Sequence, residues 1–117
     1  MRIVDTEQPG SAAVAEVRAG RAETLMKGQI NTPDLIRAVL NAEQGLRTGH
    51  TLCQVVLLEI PRDHRRLLLS DTGLCIEPNF RQKSEILDSL LLTAHGLGLS
   101  CPRVAVMSAS EKVSESM

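Results

Sequence analysis

Between Leu25 and Leu40 the chain reads as an apolar strand, a Lys27-Gly28 loop and a helix opening at Thr32-Pro33. A strand handed over directly to a helix points to an α/β arrangement. The first backbone N–H groups of a helix have no partner within it, the helix dipole adds partial positive charge there, and Lys27 adds a full one. Phosphate is the obvious guest for such a turn. Pro33 offers no N–H, however, and Asp34 sets a carboxylate where an anion would sit, so the local pattern leaves an anion cradle and an ordinary helix start both open.

The rest of the chain narrows the functional classes. At 117 residues and 12.7 kDa, with 43% apolar residues, it can bury the core of one ordinary domain. A formal charge of −1 and the absence of Tyr and Trp argue against a nucleic-acid module, which needs a basic face and stacking platforms. No segment approaches the roughly 20 consecutive apolar residues of a membrane span. Residues 1–5 are too few and too acidic for a signal peptide, so a cytoplasmic location is expected. Cys53, Cys75 and Cys101 fall in or beside apolar runs and are expected to be small buried hydrophobes, not a disulfide framework. With His50, His64 and His95 they make no recognisable zinc spacing, and no metal is expected.

Along the chain, residues 2–5 read as a short strand, Ser11 as the cap of a helix stopping at Gly20, and residues 23–26 as a second strand. From Pro33 to about Glu43, Leu35, Ile36, Val39 and Leu40 repeat with helical period, leaving Arg37 and Asn41 off the apolar stripe. The polar stretch Leu46-Arg47-Thr48-Gly49-His50 then gives way to the runs Val55 to Leu58 and Leu67 to Leu69, which predicts a boundary near residue 50. Such runs suit strands covered on both faces, and Pro61-Arg62-Asp63-His64 between them has hairpin-turn composition. Ile86, Leu87, Leu90, Leu91, Ala94 and Leu97 mark a long helix closed by Gly98, and residues 103–107 read as a further strand. Ser108 to Met117 looks like a loop and cap leading into another helix. Alternating strands and helices predict an α/β fold with a mostly parallel sheet and one β-hairpin.

Several blocks together resemble one family. Thr24-Leu25-Met26-Lys27-Gly28, Thr32 with Leu35 to Leu40, and Gly45-Leu46-Arg47-Thr48-Gly49 carry the likeness in the first half. Leu67-Leu68-Leu69-Ser70-Asp71, Pro78 with Gln82-Lys83, and Pro102 to Ser108 carry it in the second. Their order and spacing resemble the phosphate acetyl- and butyryltransferases, the butyryl type more closely. The resemblance implies transfer of an acyl group between coenzyme A and inorganic phosphate, with these as substrates and no metal or redox cofactor. It also implies an isocitrate/isopropylmalate dehydrogenase-like fold, two α/β domains flanking a cleft. Residues 1–49 would be the C-terminal portion of the first domain, with phosphate and coenzyme A cleft residues, and residues 50–117 the start of the second. In the family a Ser-Arg pair with a nearby Asp lies beyond the stretch matched here, so the fold is expected to be incomplete, the catalytic residues absent and the chain inactive alone. A truncated product, a gene fragment and one piece of a split enzyme are the three origins compatible with that.

The reaction builds negative charge at a carbonyl oxygen and releases a thiolate, so its site needs placed cations and donors more than a strong base. Lys27 and Arg37 are the candidates. Arg37 can grip phosphate through two parallel hydrogen bonds, and the resemblance turns it toward the cleft. Gly28 permits close backbone approach, and Thr32 either caps the helix or gives its hydroxyl to phosphate. Arg47, at the inferred interdomain passage, either meets coenzyme A phosphates or pairs with an acidic neighbour. Asp71 ends an apolar strand, where α/β proteins often present functional groups, but Asp71-Thr72-Gly73 is equally ordinary turn chemistry. Arg62, His64, Arg65 and Arg66 form a basic cluster open to the nucleotide end of coenzyme A or to plain solvation. Family members commonly carry Ser-His where this chain has Cys53-Gln54. Gly96-Leu97-Gly98 closes a helix and is no dinucleotide fingerprint, and His95 is expected to pack or hydrogen-bond on that helix. A homo-oligomer, or association with the rest of the enzyme, would cover sheet edges and apolar surface left open. The competing reading is a non-catalytic α/β ligand-binding or interaction protein derived from the same fold.

Overall fold

The computed structural model describes residues 3–107, which form helices α1 (Pro9–Arg18), α2 (Thr32–Val39) and α3 (Phe80–Gly96) and strands β1 (Val56–Ile60) and β2 (Arg65–Leu69). They gather into two compact units that divide between Gly49 and His50. None of the helices among the described residues is long and apolar enough to cross a membrane.

In the first unit α1 packs on α2. Val14 is the centre of this small core at 2% exposure, and Gly10 lets the helices approach, since a Cβ there would lie 3.2 Å from Ile30 and 3.5 Å from Ala38. Helix α1 begins earlier than the pattern predicts. Gln8 is the N-cap and Pro9 the first helical residue, where the fixed proline φ is pre-organised and its missing N–H is no loss, so Ser11 lies within the helix. Helix α2 ends earlier than predicted, at Val39. The Asn41 side chain explains this, because its Oδ1 accepts from the amides of Glu43 at 3.0 Å and Gln44 at 2.8 Å and so offers the backbone a turn in place of another helical repeat. Gly45 N then returns to Asn41 O at 3.1 Å and Leu46 N to Val39 O at 2.7 Å.

The second unit contains the hairpin and α3. The strands pair antiparallel with Val56 opposite Leu69, Leu58 opposite Leu67 and Ile60 opposite Arg65, so Pro61 to His64 form the turn as predicted. His64 closes it at φ 54, where its amide donates to Ile60 O at 2.9 Å. Left-handed backbone is tolerable for histidine and poor for β-branched residues. His64→Gly is therefore expected to leave hairpin stability unchanged or slightly raised, and His64→Val to cost about 1–2 kcal/mol in a urea midpoint comparison. Asn79 and Gln82 build a reciprocal capping box at the start of α3, each side chain accepting from the other's backbone N–H at 3.0 Å. Ile86 and Ala94 are buried, and Leu97 caps the far end with Gly98 next.

Three expected strands are not formed. Residues 3–5, 23–26 and 103–107 carry no ladder, Arg2 lies outside the described residues, and so does the segment from Ser108 to Met117. The only sheet among the described residues is the antiparallel pair β1–β2, with no parallel strand beside it. A helix finds its hydrogen bonds four residues away, whereas a strand depends on a partner distant in sequence, and these segments have none. For the same reason the apolar runs are not covered on both faces: Leu57 is 54% exposed, and Leu58, Leu67 and Leu69 are about 40% exposed.

Candidate functional site

The segment from Lys27 to Arg37 is held by its own short-range bonds. Asn31, not Thr32, is the N-cap of α2; its carbonyl accepts from the amides of Asp34 at 3.1 Å and Leu35 at 3.2 Å, and its side chain does not cap. Thr32 is the first helical residue, exposed, so its expected capping role passes to the Asn31 backbone. Asp34 gathers the polar groups around this turn. Its Oδ1 accepts from Arg37 Nη1 at 2.9 Å and its Oδ2 from Asn31 Nδ2 at 3.3 Å. A carboxylate three residues before an arginine on one helix reaches it without any tertiary contact.

Arg37 nevertheless keeps most of its donors open, since one guanidinium N–H faces Asp34 and the side chain is 77% exposed. Lys27 is exposed and its ammonium donates to Gly28 O at 3.2 Å, back onto its own loop. Gly28 itself has open space around it. Clefts open beside both helices of this unit. One of about 490 Å³ lies beside Val14, Arg18, Ala38 and Asn41, the other of about 370 Å³ beside Gly10, Ile30, Asn31 and Asp34. Neither Lys27 nor Arg37 lines either of these two clefts. Arg18 is engaged too, donating from Nη1 to Glu43 O at 2.7 Å.

Arg47 is exposed and makes no hydrogen bond or ion pair with another described residue. Asp71, in the second unit, is spent on its own loop. Its Oδ1 accepts from the amides of Gly73 at 3.1 Å, Leu74 at 3.2 Å and Gln54 at 3.3 Å, and its Oδ2 from Cys75 N at 2.6 Å. Partial burial pushes its carboxyl up, but the donated bonds from Gly73, Cys75, Leu74 and Gln54 outweigh it and hold the group below its ordinary value. Of the two readings of Asp71, the geometry realises the turn.

Two arginines of the basic cluster at the hairpin are paired with carboxylates. Arg65 Nε meets Asp63 at 2.7 Å, Arg66 Nε meets Glu59 at 2.9 Å across the strands, and His64 Nδ1 lies 3.4 Å from the same Glu59. Arg62 alone of the cluster has no ion-pair partner among the described residues. Cys53 and Cys75 are half-buried, while Cys101 is exposed, which corrects the expectation that all three are buried. His95 is also exposed, in the last turn of α3. Among the described residues no three His, Cys, Asp or Glu side chains group as metal ligands.

One polar constellation escapes a reading of the sequence. Glu85, on α3, accepts through Oε2 from both the hydroxyl and the amide of Thr51, and through Oε1 from Arg81 Nε at 2.9 Å. The Thr51 hydroxyl, then Arg81, then the Thr51 amide hold its carboxyl down to about 2. The Arg81–Glu85 spacing of four is a visible signal; the contact to Thr51, 34 residues away, is not.

Comparison with known proteins gives a consistent picture. A family model described as phosphate acetyl/butaryl transferase matches residues 3–117. Phosphate acetyltransferase of Thermotoga maritima is 40% identical over 111 residues, covering 95% of this chain and 38% of that protein. Phosphate butyryltransferase of Clostridium acetobutylicum is 37% identical over 105 residues, covering 90% and 35%, and that of Clostridium beijerinckii is 36% identical over 118 residues, covering 98% and 39%. Both acyl types therefore match at similar identity, and the chain spans 35–39% of the length of these relatives.

Proposed function

The chain belongs to the phosphate acetyl/butyryl transferase family, and from that premise we propose that it serves acyl transfer between coenzyme A and inorganic phosphate: acyl-CoA + phosphate gives acyl phosphate + CoA. The match of the family model to residues 3–117 carries this reading. In the reaction a phosphate oxygen bonds to the acyl carbon, the carbon–sulfur bond breaks, and the thiolate leaves to take a proton. The residues assigned to substrate are Lys27, Gly28, Thr32, Arg37 and Arg47 on the first unit. Their exposure supports a role on a wall open to ligand, with Arg37 the best placed because its free guanidinium N–H groups can still take a phosphate bidentately. Asp71 is the least supported of the assigned residues, since backbone amides occupy both its oxygens.

The proposed setting is an isocitrate/isopropylmalate dehydrogenase-like fold, residues 1–49 in one α/β domain and residues 50–117 in the next, in a cytoplasmic enzyme without a metal or redox cofactor. The exposed leucines of the hairpin favour association, with another copy or with further parts of the family fold.

Calorimetric titration with coenzyme A and with phosphate tests the reading. Binding is expected, and Arg37→Ala is expected to weaken it by about 1.5–3 kcal/mol, the worth of a charge-assisted bond to phosphate. Binding unchanged by Arg37→Ala would move the site elsewhere, and no binding of either ligand would sink the proposal. The second reading, a non-catalytic ligand-binding or interaction protein, rests on the same exposed leucines. It predicts stable association with a partner, or ligand binding, without acyl transfer.

A further inference from the structure

The chain between the two units is pinned at both ends and free between them. On one side Leu46 is tied by its amide to Val39 O at 2.7 Å, at the end of α2. On the other, Thr51 is tied by its amide, at 2.9 Å, and its hydroxyl to Glu85, whose side chain is only 16% exposed and is steadied by Arg81. Arg47, Thr48, Gly49 and His50 make no hydrogen bond with any other described residue, and all four are exposed. Gly49 adopts φ +85, and a Cβ there would meet nothing within 4 Å, so its backbone crosses a region open to glycine without packing to hold it. Backbone rotation in this stretch breaks no bond, whereas rotation at Leu46 or Thr51 breaks one or two. We infer that Arg47 to His50 are the pivot of the chain, and that the Thr51–Glu85 pair is the latch that stops the pivot from spreading into the second unit. Glu85 is thus a positioning residue, acting through Thr51. This inference is independent of the acyl-transfer reading.

Limited trypsin digestion and amide hydrogen exchange of the 117-residue chain test it. Trypsin is expected to cut after Arg47, and the amides of Thr48, Gly49 and His50 to exchange without protection while those of Leu46 and Thr51 are protected. In Glu85→Gln the Thr51 amide is expected to lose at least about tenfold of its protection while the hairpin amides of Val56 to Leu69 keep theirs. Thr51→Val, which removes only the hydroxyl, should give a smaller loss at the same amide. Protection at residues 48–50, resistance to cleavage after Arg47, or a Thr51 amide indifferent to Glu85→Gln would each overturn the inference. Should Glu85→Gln unfold the chain, the digestion and exchange of the unaltered protein decide the pivot, and Thr51→Val decides the latch.

Discussion

Gly45→Ala is expected to destabilise the chain by about 3 kcal/mol, the upper range for forcing atoms into a packed site plus the loss of the hydrogen bonds that the shift breaks. A Cβ on Gly45 would lie 2.4 Å from Val39 O, 2.4 Å from Asn41 O and 2.7 Å from Asn41 N. All three are backbone atoms, so no side chain can swing aside. Relief requires opening the turn that follows α2, which breaks the Gly45–Asn41 and Leu46–Val39 bonds and frees the end of the helix. Gly49→Ala is the control. It meets no atom within 4 Å and lies in a stretch whose rotation breaks no bond, so less than about 1 kcal/mol is expected. Urea unfolding with unchanged m-values would measure both, and a Gly45→Ala loss no larger than that of Gly49→Ala would refute the packing argument.

What the sequence announces and what it conceals divide along the range of the interactions. The three helices and the hairpin are set by neighbours: the helical repeat of Leu35, Ile36 and Val39, Pro9 and Pro33 at helix starts, and the polar turn from Pro61 to His64. The division between Gly49 and His50 coincides with the change from the polar stretch at Leu46 to the apolar runs that follow. Residues 23–26 have strand-like composition and no strand, because pairing depends on a distant neighbour that composition does not specify.

The candidate site follows the same rule. Residue types at Lys27 and Arg37 speak of anion chemistry, but where those side chains point is decided by the carboxylate of Asp34 and the carbonyl of Gly28. Asp34 three residues before Arg37 is a readable warning that the arginine has a local partner. The capping box of Asn79 and Gln82 is equally readable, and it places the start of α3 at Phe80. Thr51 and Glu85 are not, since nothing local to either residue predicts the other.

Asp71→Ala is expected to cost about 2–3 kcal/mol, because four backbone amides lose one carboxylate and the loop after β2 loses its tie to Gln54. Asp71→Asn should cost about half as much: its one oxygen can serve Gly73 and Leu74, but its amide group opposes the Cys75 N–H. The sign of the pH dependence follows from the lowered native values. The folded state holds Asp71 below its ordinary 3.8 and Glu85 at about 2 against 4.5, so it binds fewer protons than the unfolded chain in acid. Stability from both groups is fully present above about pH 5 and is lost as pH falls through 4.5 toward 2. Asp71→Ala and Glu85→Gln should each flatten that acid limb in a series of melts. These variants also separate fold from site at Asp71. A carboxylate committed to its loop lowers stability when removed and leaves coenzyme A or phosphate affinity unchanged at temperatures where the variant is folded, whereas one that touches substrate would lose affinity without the matching loss of stability.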